Sequence, residues 1–455
     1  TTTTTTTSDM KRRGGGDVDG VRHTPIPVTH SGLQLFDAPR VLTPFDRGYT
    51  EEIFSKTILN GSTLEFEVSG ERNIYVDLRN IHLHLKLTLL SWNDTSSAFE
   101  EVTDATADTA CVANNILHSA FSNVEASLQG VQISSSNNLY GHKAFIETEL
   151  SHPTECKNTW LVAQGYQYEQ EPGVATTPAL VTRRAKNIAG NWNTFYGRLA
   201  IDFLNVEKYL IPGVNLRIKM VRAPTEFAVV VLPAAGVGTH RYQIRFDEAS
   251  LFVHKVEVAG EEYARLERSL SARPAFYEFL EVIPKTYLIP IGNNQMIEED
   301  IFNAAPIRRL VVAMNLSEDF RGSLGSNPFH YQKFDLKKVV LYREGAAVGC
   351  TPLRLEQNTR AYYNTIKALN AAHAGNGLKL EDFGNHFILV FVLTADLEAS
   401  DDTTRPELTG GRLRLHLEFG SALTATVQVL LLGERKSAVY IDKNRSVLKN
   451  ALFAT

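Results

Sequence analysis

From Ile81 to Leu87 the chain alternates strictly, with Ile81, Leu83, Leu85 and Leu87 apolar and His82, His84 and Lys86 polar. A period of two puts the leucines on one face and the polar residues on the other, the signature of a half-buried strand. Similar patterns recur at Val124 to Ile133, Leu216 to Val221, Tyr242 to Phe246, Leu251 to Val258 and Leu413 to Phe419. Apolar runs such as Phe227 to Pro233 and Phe387 to Leu393 have strand length, far short of the ~18 apolar residues a bilayer-spanning helix needs. Two stretches read as helices. One spans about 138–150, with Asn137 or Asn138 as N-cap and Tyr140, Ala144 and Phe145 on one side. The other spans about 358–372, with Tyr362, Ile366 and Leu369 three to four residues apart. Many strands, Gly, Pro and Asn turns and few helices predict antiparallel sandwiches. Long polar connections at 94–113, 153–190 and 398–411 are expected to make contacts.

Landmarks then repeat in one order. A strand at Asn80-Ile81 pairs with Pro306-Ile307-Arg308-Arg309-Leu310, and Asn115 to His118 pairs with Asn327 to His330. Each Asn-x-x-His is followed by a phenylalanine (Phe121, Phe334), a strand, a turn glycine (Gly130, Gly345) and the helix of that half. Leu216-Arg217-Ile218-Lys219 finally pairs with Leu413-Arg414-Leu415-His416. The offset shrinks from 226 (80 to 306) through 212 (115 to 327) to 197 (216 to 413), as loops of unequal length require. This order predicts two copies of one β-fold in tandem. The sandwich that tolerates long connections and inserted helices is the eight-stranded jelly roll. The expected architecture is therefore all-β: two tandem eight-stranded jelly-roll sandwiches, a double jelly roll, with one inserted short helix in each. The expected boundaries are a flexible arm at 1–32, a first roll at 33–232, a linker at 233–240 and a second roll at 241–455.

Composition narrows the function. The 455 residues are 43% hydrophobic and 21% charged with net charge −5, an ordinary globular balance. A chain that binds nucleic acid with its whole surface would be basic. Three widely spaced cysteines, Cys111, Cys156 and Cys350, fit reduced thiols, and the N-terminus carries no apolar signal core, so synthesis in the cytoplasm or nucleus without secretion is expected. The arm opens on seven threonines and continues through Lys11, Arg12 and Arg13 to three glycines. It has too little apolar content to form a core. Its basic triplet offers a contact to nucleic acid or an inner membrane, with a solubilising tail as the simpler reading.

Ordered segments carry a resemblance. They are Asn114-Asn115-Ile116-Leu117-His118-Ser119-Ala120-Phe121-Ser122-Asn123-Val124 leading to Leu128-Gln129-Gly130, then Asn137-Asn138-Leu139-Tyr140 with Ala144-Phe145-Ile146-Glu147-Thr148, then Leu210-Ile211-Pro212-Gly213-Val214. The second half adds Gly325-Ser326-Asn327-Pro328-Phe329-His330-Tyr331 with Phe334, and Phe391-Val392-Leu393-Thr394-Ala395-Asp396. Together, over roughly residues 75 to 400, the chain resembles the double jelly-roll major capsid proteins of Maverick/Polinton-type elements and adintovirus-like viruses. The resemblance implies a homotrimer of pseudo-hexagonal outline, lateral trimer–trimer contacts in an icosahedral shell, and a penton or minor capsid protein as partner. It also implies location in the virion capsid, with no small-molecule substrate.

The residues offer no catalytic, cofactor-binding or metal-binding set. His82-Leu83-His84 puts two imidazoles on one strand face, but the carboxylate a cupin-type metal site wants nearby is missing. Gly236-Val237-Gly238-Thr239 is not a phosphate loop, and no Gly-x-Ser-x-Gly, His-Glu-x-x-His or Cys-x-x-Cys occurs. Glu299-Asp300 and Asp401-Asp402 read as solvated loop charges, and Arg308-Arg309 as one solvent-facing and one inter-subunit arginine. Tyr362-Tyr363 and Phe276-Tyr277-Glu278-Phe279 are core or interface anchors before they are stacking platforms. The expected role is a capsid subunit and not an enzyme, with a jelly-roll carbohydrate- or ligand-binding protein as the alternative.

Overall fold

A computed structural model describes residues 45–451 except 103–109, 171, 174–176, 188–192, 232–240, 350, 357, 370–377, 382, 385 and 395–410. The arm with Lys11, Arg12 and Arg13, the expected linker, Asp401-Asp402 and Cys350 lie outside the described residues.

The first half contributes β1 (Phe45–Phe54), β2 (Thr63–Val68), β3 (Ile74–Asn93), β4 (Ala98–Glu101), β5 (Ala110–Val112), β6 (Phe121–Leu128), β7 (Val131–Ser135), β8 (Thr194–Arg198), β9 (Leu216–Arg222), β10 (Val229–Val231) and β11 (Tyr242–Val258). The second contributes β12 (Ala275–Ile289), β13 (Gln295–Glu298), β14 (Arg309–Leu316), β15 (Leu336–Arg343), β16 (Ala346–Ala347), β17 (Leu353–Arg354), β18 (Ile388–Val392), β19 (Leu413–Phe419), β20 (Val427–Ile441) and β21 (Val447–Ala451). The helices are α1 (Ile116–Ser119), α2 (Tyr140–Ser151), α3 (Thr154–Asn158), α4 (Pro178–Asn187), α5 (Thr225–Ala228), α6 (Gly260–Ala272), α7 (Ser317–Arg321) and α8 (Asn358–Ala368).

Two sandwiches result. In the first, the sheet β1-β11-β3-β8 faces the sheet β2-β9-β6-β7, and in the second β12-β20-β14-β18 faces β13-β19-β15-β16. Every one of these pairings is antiparallel. The eight strands of each sandwich, in chain order, thus fill the two sheets as 1-8-3-6 and 2-7-4-5. That strand order is a jelly roll, twice over. Alternation sets the inward faces. Leu216, Ile218 and Met220 of β9 are buried, and so are Leu413, Leu415 and Leu417 of β19. Burying a side chain of this size is worth ~1.5–3 kcal/mol.

Apart from Asn-x-x-His, whose first copy runs into α1 while the second lies outside any helix or strand, the repeated landmarks fall on equivalent elements. Ile81 lies on β3 and Leu310 on β14, the third strands; β9 and β19 are the seventh. Gly130 (φ 83°) and Gly345 (φ 82°) each follow a residue that also has positive φ, Gln129 (48°) and Glu344 (47°). Two successive left-handed residues twist a two-residue hairpin to match its strands, and glycine adopts that geometry without Cβ strain. α2 and α8 each occupy the connection between the fifth and sixth strands.

Three expectations need correction. The first roll does not end at 232, because β11 lies between β1 and β3 as a central strand of the first sheet. The eighth strand of a jelly roll must return beside the first, so the first roll runs on through β11, and α6 leads to the second. Neither Asn137 nor Asn138 caps α2. Both have positive φ (50° and 61°), and the helix begins after Leu139. The stretch 153–190 is not simply loop: it holds α3, a 3-10 turn at Trp160–Gln164 and α4.

These insertions join the rolls. Phe145, Ile146 and Leu150 of α2, Leu161, Tyr166 and Leu180 form one buried cluster with Phe320, Phe329, Tyr331, Ile388, Val390, Leu430 and Leu432 of the second roll. At the far end of the seam, Tyr277 and Phe279 of β12 and Val439 and Ile441 of β20 enter the core of the first roll. The two sandwiches therefore share apolar surface instead of meeting through a thin linker.

Candidate functional site

The seam concentrates the buried polar chemistry. α2 carries His142 into an aromatic box, stacked on Phe320 (centroids 3.9 Å, planes 7° apart) with Phe227 and Phe329 edge-on. Nε2 donates to the Phe320 carbonyl at 3.0 Å, which leaves Nδ1 to accept from the Tyr331 hydroxyl at 2.9 Å. Burial pushes the imidazole down to about 4, against the upward pull of its bond to the Phe320 carbonyl, and so keeps it neutral near pH 7. His118, of the first Asn-x-x-His, is also buried, bonded to Tyr140 Oη at 2.9 Å, and pushed to about 4. Burial brings His330, of the second, to about 4 as well.

Charged pairs tie the same surfaces. Lys143 donates to Asp202 Oδ1 at 2.6 Å, and Asp202 Oδ2 accepts the backbone N–H of Val282, on β12, at 2.9 Å. Glu149 accepts from Lys157 at 2.8 Å and from Tyr166. Fully buried Arg183 pairs with Glu169, whose other oxygen accepts from Asn327 Nδ2 at 2.8 Å. A buried charge is tolerated only when it is paired in this way.

A cleft of about 780 Å³ runs along the seam, lined by Glu147, Arg198, Glu278, Glu434 and Lys436 among others. Burial pushes Glu147 up to about 7, against the opposing pull of Lys143, and Asp202 raises it further. The lining mixes signs, and much of it is internally paired. Arg309 forks onto Glu434 (Nη2 to Oε2, 2.5 Å), with Arg308 Nε 3.8 Å from its other oxygen. Both arginines therefore serve an ion pair inside the chain, not the expected division between solvent and a neighbouring subunit.

The remaining candidates are dispersed. His82 and His84 share the outer face of β3, but His82 stacks on Tyr196 (5.2 Å, 7°) and His84 meets Phe252 edge-on (6.1 Å, 89°). Among the described residues no group of three or more His, Cys, Asp or Glu is placed to hold a metal ion. Glu299 reaches Arg414 at 3.4 Å, and Asp300 accepts the N–H of Ala304 at 3.0 Å. Tyr277 and Phe279 are core residues, Tyr362 donates to the Leu378 carbonyl at 2.8 Å, and Tyr363 is exposed. No helix of the described residues is long and apolar enough to cross a membrane. The seam residues His142, Lys143, Asp202 and Arg183 escape sequence reasoning, because nothing in their local pattern separates a buried charge from a surface one.

With this geometry in place, comparison with solved structures is direct. A chain of the Sputnik virophage structure superposes with a TM-score of 0.66, at 10% identity and 94% coverage of both chains. The fold is a double jelly roll. The faustovirus major capsid protein matches with a TM-score of 0.56 over 91% of this chain and 92% of its own, at 10% identity. The mavirus major capsid protein matches at 0.51 over 97% and 98%, again at 10% identity. At such identity the double jelly roll alone is what these chains share. In sequence, the uncharacterized protein F54H12.2 of Caenorhabditis elegans is 21% identical over 299 residues, 64% of this chain and 68% of its own. No protein-family model matches.

Proposed function

We propose that this double jelly-roll chain is a major capsid protein, a structural subunit that trimerises into pseudo-hexagonal capsomers and tiles an icosahedral shell. The observation that carries the reading is the fused pair of equivalent rolls. Two similar sandwiches locked side by side by a buried seam make a rigid brick with repeated lateral faces, and repeated faces favour symmetric closure. The faustovirus and mavirus proteins, which are major capsid proteins, have the same fold over nearly their whole length. Among the described residues the seam's polar groups pair across the two rolls, which supports the structural role over the enzyme and ligand-binding alternatives. The ordered segments over roughly residues 75 to 400 support a Maverick/Polinton-type element as the source of the gene. On this reading the protein is made in the host cytoplasm or nucleus and resides in the virion shell. A penton protein fills the vertices, and Lys11, Arg12 and Arg13 meet nucleic acid or an inner membrane.

Light scattering on a sizing column, followed by negative-stain imaging, tests it. Trimers and hexagonal plates or shells are expected. A strictly monomeric chain at high concentration overturns the reading.

A further inference from the structure

The seam inside the chain is a contact that can be made again between chains. α2 turns Tyr140 into its own roll's core. At ~100° per residue, His142, Phe145 and Ile146 lie on the opposite side and enter the second roll. There they meet the outer face of the sheet containing β14, β18 and β20, at Ala313, Ile388, Val390, Leu430 and Leu432. α8 holds the same place in the second roll. Its Ala361, Thr365 and Ala368 are buried, with Thr365 Oγ1 accepting the N–H of Val390 at 3.3 Å. On the opposite side, in the bearing His142 has on α2, α8 presents Arg360, Tyr363 and Lys367, all exposed. Tyr363 is 62% exposed.

The equivalent receiving face belongs to the first roll, on the third, sixth and eighth strands. It carries His82 and His84 on β3, Tyr196 on β8 and Phe252 on β11, with Phe54 at the end of the neighbouring β1. In the second roll this face is packed under the first roll's insertions. In the first roll it is open, with Phe54 68% and Tyr196 41% exposed. Charge is complementary at the β1 edge of this face: α8 has two cations and no acid, and Glu52 stands opposite Phe252 on the outer side, whereas Glu51 is already paired with Lys255 and Lys86 with Glu248. Opposed charges around an aromatic anchor are what a specific interface presents.

We infer that the outer face of the first roll, centred on Tyr196, His82, His84 and Phe252, receives the Arg360–Tyr363–Lys367 stripe of a second copy's α8. The inference deepens the capsid-subunit reading and rests on it. Each copy then offers one knob and one socket, a head-to-tail contact that closes into a ring when the rotation between rolls repeats. Three chains would place six rolls about the axis, the intrachain seam alternating with the contact between copies.

A cysteine pair in the full-length chain tests it. Tyr363→Cys with Tyr196→Cys is oxidised mildly after assembly and run without reductant, with each single variant controlling for native Cys111, Cys156 and Cys350. Covalent multimers are expected from the double variant only. Reversal of the knob, Arg360→Glu with Lys367→Glu, is expected to weaken association about tenfold or more, with partial recovery by Glu52→Lys. Trimers or shells that form without the crosslink, and that tolerate Tyr363→Glu and the charge reversal, overturn this contact while the capsid reading stands. A wild-type chain that never leaves the monomer overturns both.

Discussion

The Nδ1 of His142 lies 2.9 Å from the hydroxyl of Tyr331, a bond from the first roll to the second. With the neutral imidazole Nδ1 is the acceptor, because Nε2 already donates to the Phe320 carbonyl. In the unfolded chain His142 takes its proton near 6.5, whereas in the fold it does so only near 4. Its contribution is therefore complete above pH 6.5 and is lost as pH falls toward 4. A shift of this size corresponds to ~3 kcal/mol, and His118 and His330 act in the same sense. The melting temperature should drop steeply between pH 6.5 and 4. His142→Gln should lower stability at pH 7 by ~1–3 kcal/mol and flatten the pH profile. An unchanged profile in this variant contradicts the assignment.

Lys143 and Asp202 should behave as one unit. Asp202→Ala leaves a buried ammonium with only its longer 3.6 Å pair to Glu147 and strips Val282 of its acceptor. A loss of ~3–5 kcal/mol in denaturant unfolding is expected. The double variant Lys143→Met with Asp202→Leu should cost much less than the sum of the singles. Simple additivity would mean that the two side chains do not depend on each other.

Glu147 should make the protein less stable in mild alkali. Its proton is held to about pH 7 in the fold and released near 4.5 in the unfolded chain. Stability is therefore full below 4.5 and declines as pH rises through 7. Glu147→Gln should raise stability at pH 8 by about 1 kcal/mol, the side chain being partly solvated. At pH 4 it should have little effect. Thermal melts at the two pH values separate these outcomes.

Gly130→Ala and Gly345→Ala should cost nearly the same, about 1 kcal/mol each. Neither position has a neighbour within 4 Å of an added Cβ, so backbone conformation is the only source of strain. Equal shifts in the unfolding midpoint are expected. A large difference would show that the two hairpins are not equivalent.

The sequence by itself determined the sandwiches and their duplication. Period-two alternation at Ile81 to Leu87 and Leu413 to Phe419 commits each strand to one inward face, since slipping by one residue would expose every leucine. Gly130 and Gly345 could be read as turns because their conformation is local. Only the tertiary structure decided the boundary of the first roll and the role of the insertions. β11 looks like any other strand until its partners β1 and β3, more than 150 residues away in the chain (Tyr242 pairs with Ser91, Val258 with Phe45), are known. His142, Lys143, Asp202 and Arg183 likewise acquire their meaning from surfaces distant in sequence. Alternation records which side of a strand is buried, and carries no record of which other surface does the burying.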